Sequence, residues 1–512
     1  MARLHEHQGK SILARHGIPV PRGRAASTPE QAVQVAAELN RPVVVKIQAW
    51  TTGRAAMGGV GFADTPDQAG SLARRMLGMM VGNFPVTEVL VEEKLALAAE
   101  MFVSLAIDDR ERCPVILLST IGGSGVEERA KSVRRVPCDV VEGPDPRTLA
   151  QAVAASGQPE PVQGLLVAAI ASLFKVARAI EARSLEINPL AVTKDGRVVA
   201  ADCRVTVDDY AVFRHPELGI EIARELDHPP TELERIAYRA EQDDHRGTFF
   251  FAQMNTAPAP GSKGLIGFHG AGGGGSMMSM DAITNEGFTI ADFCDTSGNP
   301  SPAKVYRAAR VILAQPGLIG YFGSGSGVAN QEQFWSAYGL AKAFWEMNLD
   351  IPAVIRLGGN TEDRAVEILQ SGCRGLPARV EGYRKTDTPA QIAARFAALV
   401  ADARGAAWKP RPPRRPAFVG VPGAVSFAIK GGRVWIDPGA WKKSSVAIMA
   451  RSNGLLRDDA ARPAITTTPD AFQAKDSDMI ACEVECRRDG IEGLFVELDV
   501  PGLDALAGKA GR

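Results

Sequence analysis

The segment Ser184-Leu-Glu-Ile-Asn-Pro-Leu190, followed by Ala201-Asp-Cys203, decides how the first part of this chain folds. Apolar and polar residues alternate in the first segment, which is typical of a strand with one buried face. The turn between the two segments contains Lys194-Asp-Gly196, and glycine suits the left-handed position of a three-residue hairpin loop. The pattern therefore predicts a β-hairpin.

The loop length also sets the register of this hairpin. A three-residue loop pairs Thr193 with Arg197, and the same register places Asn188 opposite Asp202 on one face of the sheet. With Glu186 on that face, two carboxylates and a carboxamide converge. Oxygen clusters of this kind suit Mg²⁺, which takes few protein ligands and keeps waters or nucleotide phosphates. An ordinary hairpin with a polar face is the alternative.

Composition bounds what the rest of the chain can be. A length of 512 residues predicts about three or four domains. The formal net charge of −1 gives no reason to expect nucleic acid or an acidic membrane as a partner. No apolar run approaches the ~20 residues of a membrane span, and no signal-peptide core is visible. Seven scattered cysteines, an odd number, favour reduced and mostly buried thiols in a cytoplasmic protein.

Candidate phosphate-binding residues lie near the N-terminus. Residues 42–47 predict an apolar strand that Lys46 interrupts. A lysine there is costly unless its ammonium reaches an anion, or unless it snorkels from the sheet edge. The next loop, 51–59, is made of small residues and contains Gly53 and Arg54. Its backbone N–H groups and its arginine are suited to cradling phosphates.

Several motifs stand in an order that matches one enzyme family. They are Leu4-His-Glu-His-Gln-Gly-Lys10, Val45-Lys46, Gly53-Arg54, Val91-Glu92 with Glu100 eight residues on, Ser119-Thr120 before Gly122-Gly123, Glu186-Ile-Asn188-Pro, and Asp202. With this order and spacing the chain resembles the β subunit of succinyl-CoA synthetase, an ATP-grasp enzyme, and its relatives malate–CoA ligase and ATP-citrate lyase. The resemblance runs from residue 1 to about 400.

On the matching positions, the resemblance implies a site for ATP and Mg²⁺, with CoA as co-substrate. The residues implied are Lys46, Gly53 and Arg54 for the nucleotide phosphates, Glu92 at the adenine–ribose end, Glu100 at the ribose, and Asn188 and Asp202 for Mg²⁺. Two departures are visible. The family's Gly-Gly-Arg-Gly-Lys loop reads Thr-Thr-Gly-Arg-Ala here, and its Asp-Gly-Lys reads Asp-Cys-Arg.

Residues 262–404 repeat strand, glycine-rich loop and helix, as in an open parallel sheet that binds its ligand at the strand ends. The predicted strands are 264–268, 289–293, 317–322 and 353–356. The first loop, His269–Ser276, offers N–H groups ahead of a helix predicted from Met277 onward, a favourable place for a phosphoryl group or carboxylate.

In the family this loop has an asparagine in place of His269 and receives a phosphohistidine from the partner α subunit. The resemblance therefore implies that His269, Gly270 and Gly272 belong to the catalytic loop. We expect His269 to be a substrate or phosphate contact and not the phosphoryl carrier. Phosphorylation of His269 itself is the alternative, since histidine is a competent phosphoryl acceptor.

The other loops supply candidates for the acid site. Gly298 and Asn299 follow the second strand, and Gly325 and Gly327 lie in the third loop, 323–330. Family members carry Gly-Gly-Ile-Val-Arg in that loop, but this chain has no arginine there. An unpaired buried carboxylate is expensive, so a dicarboxylate site should keep a cation. The loop therefore argues against succinate and favours an acid whose far end is hydroxylated, amidated or apolar.

The predicted fold class is α/β and α+β, in several domains. We expect an ATP-grasp domain at 1–245 with an inserted subdomain at 21–99, a flavodoxin-like parallel α/β domain at 262–404, a Pro-rich semi-rigid linker at 405–416, and a mostly-β C-terminal domain of unknown role at 417–512. The last of these lies outside the resemblance.

The predicted function is the β-type subunit of an ATP-dependent, ADP-forming carboxylic acid–CoA ligase, acting through a phosphohistidine and an acyl phosphate. A separate α-like, CoA-binding subunit would carry the active histidine. Two alternatives stand beside it: a self-contained ATP-grasp ligase that makes an acyl phosphate for an amine or thiol, and a non-catalytic nucleotide-binding scaffold. Retention of Lys46, Glu100, Asn188 and Asp202 argues against the scaffold.

Overall fold

The computed structural model describes residues 2–51, 53–122, 133–242, 249–298, 300–325, 329–403 and 405–414, together with five short strands and Leu503 further along the chain. The chain divides into two compact units, Met1–Pro230 and Thr231–Arg512. Mixed sheets and helices in more than one unit confirm the predicted fold class. The finer domain boundaries given above remain predictions.

The first unit contains fourteen strands and five α-helices among its described residues. The strands are β1 (Ala2–Arg3), β2 (Gly23–Ala26), β3 (Val43–Ile47), β4 (Val60–Ala63), β5 (Met80–Val81), β6 (Phe84–Pro85), β7 (Val89–Glu93), β8 (Leu97–Asp108), β9 (Cys113–Ser119), β10 (Arg134–Asp139), β11 (Gly143–Pro144), β12 (Ala182–Thr193), β13 (Val198–Ala200) and β14 (Arg204–Val207). The helices are α1 (Glu6–Arg15), α2 (Pro29–Leu39), α3 (Pro66–Met76), α4 (Pro146–Ala154) and α5 (Glu160–Ala179).

These strands form two main sheets. The larger has the order β1-β14-β12-β8-β9-β10-β11, with β13 beside β12, and the smaller has the order β2-β7-β3-β4. Helices α2 and α3 each begin with proline after a threonine whose side chain accepts a backbone N–H, which fixes where each helix starts. The smaller sheet and these two helices enclose a separate apolar core.

The hairpin has the predicted register. Its turn glycine, Gly196, has φ +80°, and the N–H of Thr193 donates to the carbonyl of Arg197 at 2.9 Å. Strand β12 pairs with β13 and then with β14 in one continuous register, from Leu190 with Ala200 to Glu186 with Arg204. The interruption between these two ladders contains Asn188, Pro189 and residues 201–203, so the predicted pair lies in a break of the sheet.

Helix α5 bears on the expectation that no apolar segment approaches the length of a membrane span. It is 20 residues long and, by length and composition alone, apolar enough to cross a membrane. Eight of its residues, among them Leu166, Ile170 and Leu173, are buried, and the helix packs against β12. Burial against the sheet accounts for its composition, as in the core helix of a globular domain.

The second unit is built around a sheet of order β15-β18-β16-β19-β21-β23, with β17 beside β16. Its strands are β15 (Phe250–Gln253), β16 (Leu265–Ala271), β17 (Thr289–Ile290), β18 (Asp292–Asp295), β19 (Leu318–Gly325), β20 (Ala329–Glu332), β21 (Ala353–Arg356), β22 (Gly359–Asn360) and β23 (Val380–Tyr383). The helices are α6 (Glu232–Gln242), α7 (Gly273–Asn285), α8 (Pro302–Ile312), α9 (Phe334–Glu346), α10 (Glu362–Gly372) and α11 (Pro389–Asp402).

All pairings in this sheet except that of β15 are parallel, as predicted for an open α/β domain. Successive residues of a strand enter different apolar clusters: Ile266 and Phe322 lie in one, Leu265 and Tyr321 in the other. This alternation shows that helices cover both faces of the sheet.

The prediction for the first glycine-rich loop was wrong in its bounds. Strand β16 continues to Ala271 and helix α7 begins at Gly273, so His269 belongs to the strand and the helix starts four residues before Met277. A side chain on Gly270 would place its Cβ 2.3 Å from Ser276 Oγ. The glycine therefore permits the close approach of helix and strand.

The segment 405–414 is more than a spacer. Trp408 is 1% exposed, its Nε1–H donates to the carbonyl of Leu313 at 2.7 Å, and its backbone bonds to residues 317 and 318. Arg414 stacks on Trp345, with its guanidinium carbon 4.0 Å from the ring centroid. The proline-rich segment is thus fastened to the second unit.

The C-terminal strands fit a mostly-β region. They are β24 (Phe427–Lys430), β25 (Arg433–Ile436), β26 (Val446–Met449), β27 (Glu483–Cys486) and β28 (Ile491–Gly493). Pairs β24–β25 and β27–β28 are antiparallel. Apart from these strands and Leu503, the predicted domain at 417–512 lies outside the described residues.

Candidate functional site

A buried cluster of charged side chains lies in the first unit, where α1, β3 and β7 meet the loop between β13 and β14. Lys46, on β3, has its ammonium 3.0 Å from Glu6 Oε1, 2.5 Å from Glu92 Oε1 and 2.8 Å from the carbonyl oxygen of Ala201. The predicted requirement for an anion is confirmed, and in this chain the anions are two carboxylates. Lysine snorkelling from the sheet edge is excluded, because the Lys46 side chain is only 12% exposed.

Arg54 joins the cluster from the loop after β3. Its Nη1 donates to Glu6 Oε2 at 2.6 Å and to the carbonyl of Ile47 at 3.2 Å, and its Nη2 donates to Asp202 Oδ2 at 2.6 Å. The structure therefore brings Lys46, Arg54 and Asp202 together, while their roles toward phosphate and metal remain predictions. Gly53, with φ +66° and open space where a Cβ would point, lets the loop turn in front of them.

Two members of the cluster were quoted in the N-terminal motif but were given no role. Glu6 and Lys10 are one turn apart on α1 and are both buried. Lys10 Nζ lies 2.6 Å from Glu6 Oε1, 2.9 and 2.7 Å from the two Glu92 oxygens, and 2.8 Å from the carbonyl of Ala201. The signal in the sequence was an acid–lysine pair at i,i+4 spacing beside Ile12 and Leu13 on the apolar helix face.

The electrostatics of the cluster favour the charged forms of Glu6 and Lys46. Burial alone would raise the pKa of Glu6, but Lys10, then Lys46 and Arg54, more than offset this and hold that pKa well below its usual range. Burial would likewise lower the pKa of Lys46, yet Glu6, Glu92 and Asp202 hold it above its usual range. A buried array of this kind is stable only with each charge paired.

The position of Glu92 differs from its predicted setting. The sequence placed it at the adenine–ribose end, but its side chain is 2% exposed and both oxygens contact Lys10. A carboxylate engaged in this way has little capacity left for a ribose hydroxyl. Glu100, in contrast, is exposed on β8, opposite Ala191 of β12, and remains available to a ligand.

The predicted metal ligands are both oxygen donors. Asp202 is 27% exposed in its side chain, and its Oδ1 accepts the N–H of Cys203 at 2.7 Å. Asn188 is half-buried on the facing strand. Within the part of the chain that the structure describes, no three His, Cys, Asp or Glu side chains are grouped to hold a metal ion. Two oxygen donors nevertheless suit Mg²⁺, which takes few protein ligands and keeps several waters.

A cleft in the second unit lies at the C-terminal ends of β16, β18, β19 and β21, the place where open parallel sheets bind ligands. Its lining includes two predicted substrate residues, Gly298 and Gly325, and the predicted His269. Two further predicted residues, Asn299 and Gly327, lie outside the described residues.

His269 is held at both ring nitrogens. Nδ1 lies 2.6 Å from Tyr321 Oη and Nε2 lies 3.1 Å from Thr296 Oγ1, whose hydroxyl also reaches the carbonyl of Gly270. This chain of contacts is satisfied when Tyr321 donates to Nδ1 and Nε2–H donates to Thr296. Burial lowers the pKa of His269 to about 4, so the ring is neutral at pH 7. Although the neutral ring is the nucleophilic form, an enclosed ring with both nitrogens engaged is poorly placed to accept a phosphoryl group.

The loop amides are divided between internal and available groups. The N–H of Gly272 donates to Asp295 Oδ1 at 3.0 Å, so this predicted catalytic residue is engaged within the protein. The amides of Gly273, Gly274 and Gly275 follow in the first turn of α7, where helical N–H groups lack intrahelical partners. An anion at this helix end would meet these three residues.

Arg356 is the main residue that sequence reasoning missed in the cleft. It ends β21 and pairs in register with Ser324 of β19, so it lies beside the third loop. Its Nη1 and Nη2 donate to the carbonyls of Gly325 and Lys385, while its buried Nε has no partner. Among the described residues, no carboxylate lies within ion-pair distance of it. The third loop lacks an arginine, but the cleft does not lack a cation.

Comparisons with known proteins agree with this geometry. The ATP-grasp domain family matches residues 3–192. The succinate–CoA ligase [GDP-forming] β subunit of Thermus thermophilus is 34% identical over 372 residues, covering 72% of this chain and 93% of that protein. The [ADP-forming] β subunit of Rubrobacter xylanophilus is 32% identical over 374 residues, covering 72% and 92%.

Among solved structures, ATP citrate lyase from Methanothrix soehngenii, in complex with citrate and coenzyme A, superposes with a TM-score of 0.63 at 19% identity, covering 77% of this chain and 99% of that one. This likeness shows the fold. Fold and site together define an ATP-grasp protein of the acid–CoA ligase class, which uses ATP, Mg²⁺ and CoA. Within that class, the chain belongs to the family of succinate–CoA ligase β subunits.

Proposed function

We propose that this chain is the nucleotide-binding, β-type subunit of an ADP-forming carboxylic acid–CoA ligase that acts through a phosphohistidine and an acyl phosphate. The observation that carries the proposal is the cluster of Lys46, Arg54 and Asp202 in the first unit, with Asn188 on the strand whose register faces Asp202. Phosphoryl transfer depends mainly on positioning and charge neutralisation, and this set supplies both.

Lys46 and Arg54 would bind the nucleotide phosphates, and Glu100 would contact the ribose. Glu92 would not contact the ligand itself, because its carboxylate is paired with Lys10 and Lys46 and holds both in place. Asn188 and Asp202 would hold Mg²⁺, which when bound supplies further neutralisation of phosphate charge. Since Arg54 pairs with Asp202, Arg54 would have to exchange this carboxylate for a phosphate before Asp202 serves the metal.

The acyl-transfer half of the reaction requires a histidine that moves between sites. We assign that histidine to an α-like, CoA-binding partner, because His269 is enclosed and fully hydrogen-bonded. The first turn of α7, with the amides of residues 273–275, would receive the phosphoryl group when the partner docks. The thiols of Cys138, Cys203 and Cys373 are buried and form no disulfide, which supports a cytoplasmic setting.

Arg356 changes the expectation for the acid. The argument against succinate assumed that no cation faced the far carboxylate, and that premise is wrong because Arg356 enters the cleft from the adjacent strand. We therefore propose an acid that presents a carboxylate to Arg356, with dicarboxylates favoured over monocarboxylates of the same length. Its buried Nε, which has no partner, supports this assignment.

The test is reconstitution. The chain alone, the α-like protein alone, and both together are assayed with ATP, CoA and a panel of acids that pairs succinate with butyrate. We expect acyl-CoA and ADP only from the pair. Turnover by this chain alone with an amine or thiol acceptor would instead support the self-contained ligase. Failure to bind ATP would remove the proposal.

A further inference from the structure

The nucleotide site contains one more cation than its ligand-facing residues explain. Lys10 is 4% exposed, and four acceptor oxygens lie 2.6–2.9 Å from its ammonium. An ammonium has three N–H donors, so no donor remains for an incoming phosphate. Lys10 must therefore act through its neighbours, and these are Glu6, Glu92 and the carbonyl of Ala201, next to Asp202.

Lys46 faces the same shortage of donors. Its three neighbours, Glu6, Glu92 and the Ala201 carbonyl, match its three N–H groups, so a nucleotide phosphate must replace one of them. Both carboxylates among these neighbours are shared with Lys10. When Lys46 turns to a phosphate, Lys10 is the cation that continues to neutralise them.

Charge counting gives the same result. The cluster contains three cations, Lys10, Lys46 and Arg54, and three carboxylates, Glu6, Glu92 and Asp202. Once Asp202 serves a metal ion, two carboxylates oppose three cations and one positive charge is left for the phosphates. Without Lys10 the remaining balance is zero.

We propose that Lys10 is a positioning residue of the nucleotide site, a buried counter-cation that neutralises Glu6 and Glu92 and thereby leaves Lys46 free to bind phosphate. The inference rests on the proposed nucleotide site. Glu6 is its counterpart, the carboxylate that binds all three cations and that competes with phosphate for Lys46 and Arg54.

The test is a charge-balanced pair of substitutions in the full chain, with Kd for Mg²⁺–ADP measured by calorimetry. Lys10→Met should weaken binding about tenfold or more, since a buried charge pair is broken and the net positive charge is lost. Glu6→Gln should bind as tightly as the natural chain or more tightly. The double variant Lys10→Met/Glu6→Gln restores one net positive charge and should recover most of the affinity.

Arg41→Met is the matched control. It removes a cation from a different buried carboxylate of β7, Glu93, which also contacts Arg22 and is outside the cluster. Its Kd should be that of the natural chain, whatever it does to the melting temperature. If the natural chain does not bind Mg²⁺–ADP, the proposed function fails, and the role of Lys10, which depends on it, fails with it.

Two results would overturn the role of Lys10. One is a folded Lys10→Met variant with unchanged Kd. The other is a folded double variant as weak as Lys10→Met alone, which would make the lysine a structural element only. Should Lys10→Met fail to fold, two other variants decide the question. Glu6→Gln must not raise the Kd for Mg²⁺–ADP, and Lys10→Arg, which keeps the charge, must have a Kd within about threefold of that of the natural chain.

Discussion

Replacing Asp202 by asparagine is expected to weaken the Mg²⁺-dependent part of nucleotide binding while the fold persists. The substitution removes a charged metal ligand but keeps an oxygen that can accept the N–H of Cys203, now 2.7 Å from Oδ1. Arg54 loses one ion pair and retains Glu6. Because the Asp202 side chain is only partly buried, we expect a loss of about 1 kcal/mol in the free energy of unfolding.

The effect on ligand binding should be larger. Substitutions around a metal site typically reduce metal affinity about 10- to 100-fold, which corresponds to about 1.4–2.7 kcal/mol. Calorimetry with ATP, with and without Mg²⁺, isolates the contribution of the metal ion to nucleotide affinity. In Asp202→Asn the ratio of the Kd without Mg²⁺ to the Kd with Mg²⁺ should fall by that factor. Mg²⁺-free ATP should bind at least as tightly as it does to the natural chain, because Arg54 is released from Asp202. Asp195→Asn, an exposed carboxylate of the same hairpin turn, is the control. An unchanged Mg²⁺ dependence would remove the metal assignment.

Three further outcomes are expected. Arg356→Gln should raise KM for the acid at least about tenfold, leave Kd for ATP unchanged, and abolish any preference for succinate over butyrate; an unchanged KM would refute the role of Arg356. The isolated chain incubated with γ-labelled ATP under alkaline quench should retain no label. Stable label on the natural chain that is lost in His269→Ala would instead show that His269 carries the phosphoryl group. Because burial lowers the pKa of His269 to about 4 against about 6.5 unfolded, the unfolded chain binds more protons between these values, so stability falls as pH drops from 6.5 towards 4, by up to about 3 kcal/mol. Denaturant titrations should show this slope reduced in His269→Asn, and an identical slope would contradict the assignment.

Features set by local chemistry could be predicted from the sequence. Turn length and the two-residue period of strands fix the hairpin register, so Asn188 opposite Asp202 followed from Gly196 and its neighbours. The cost of a lysine in an apolar strand predicted an anion at Lys46. The identity of that anion could not be predicted in the same way, since Glu6 reaches Lys46 only through the packing of α1 on the sheet.

The sequence-based predictions fail for the cation of the cleft, which depends on a neighbouring strand, and for the start of helix α7, which depends on glycine packing. The sequence of the third loop gives no sign of Arg356, which lies beside that loop because adjacent parallel strands end side by side and Ser324 pairs with Arg356. The predicted start of helix α7, Met277, is four residues too late, because a run of glycines has poor helix propensity. There, close packing of Gly270 against Ser276 overrides the local preference.

The most direct test of the nucleotide site is a crystal structure of the chain with Mn²⁺ and a non-hydrolysable ATP analogue, with the metal located by its anomalous scattering. We expect the peak between the side chains of Asn188 and Asp202, the phosphates on Lys46 and Arg54, and the Arg54–Asp202 contact broken. A nucleotide bound with the metal elsewhere, or with the Arg54–Asp202 contact intact, would contradict the account.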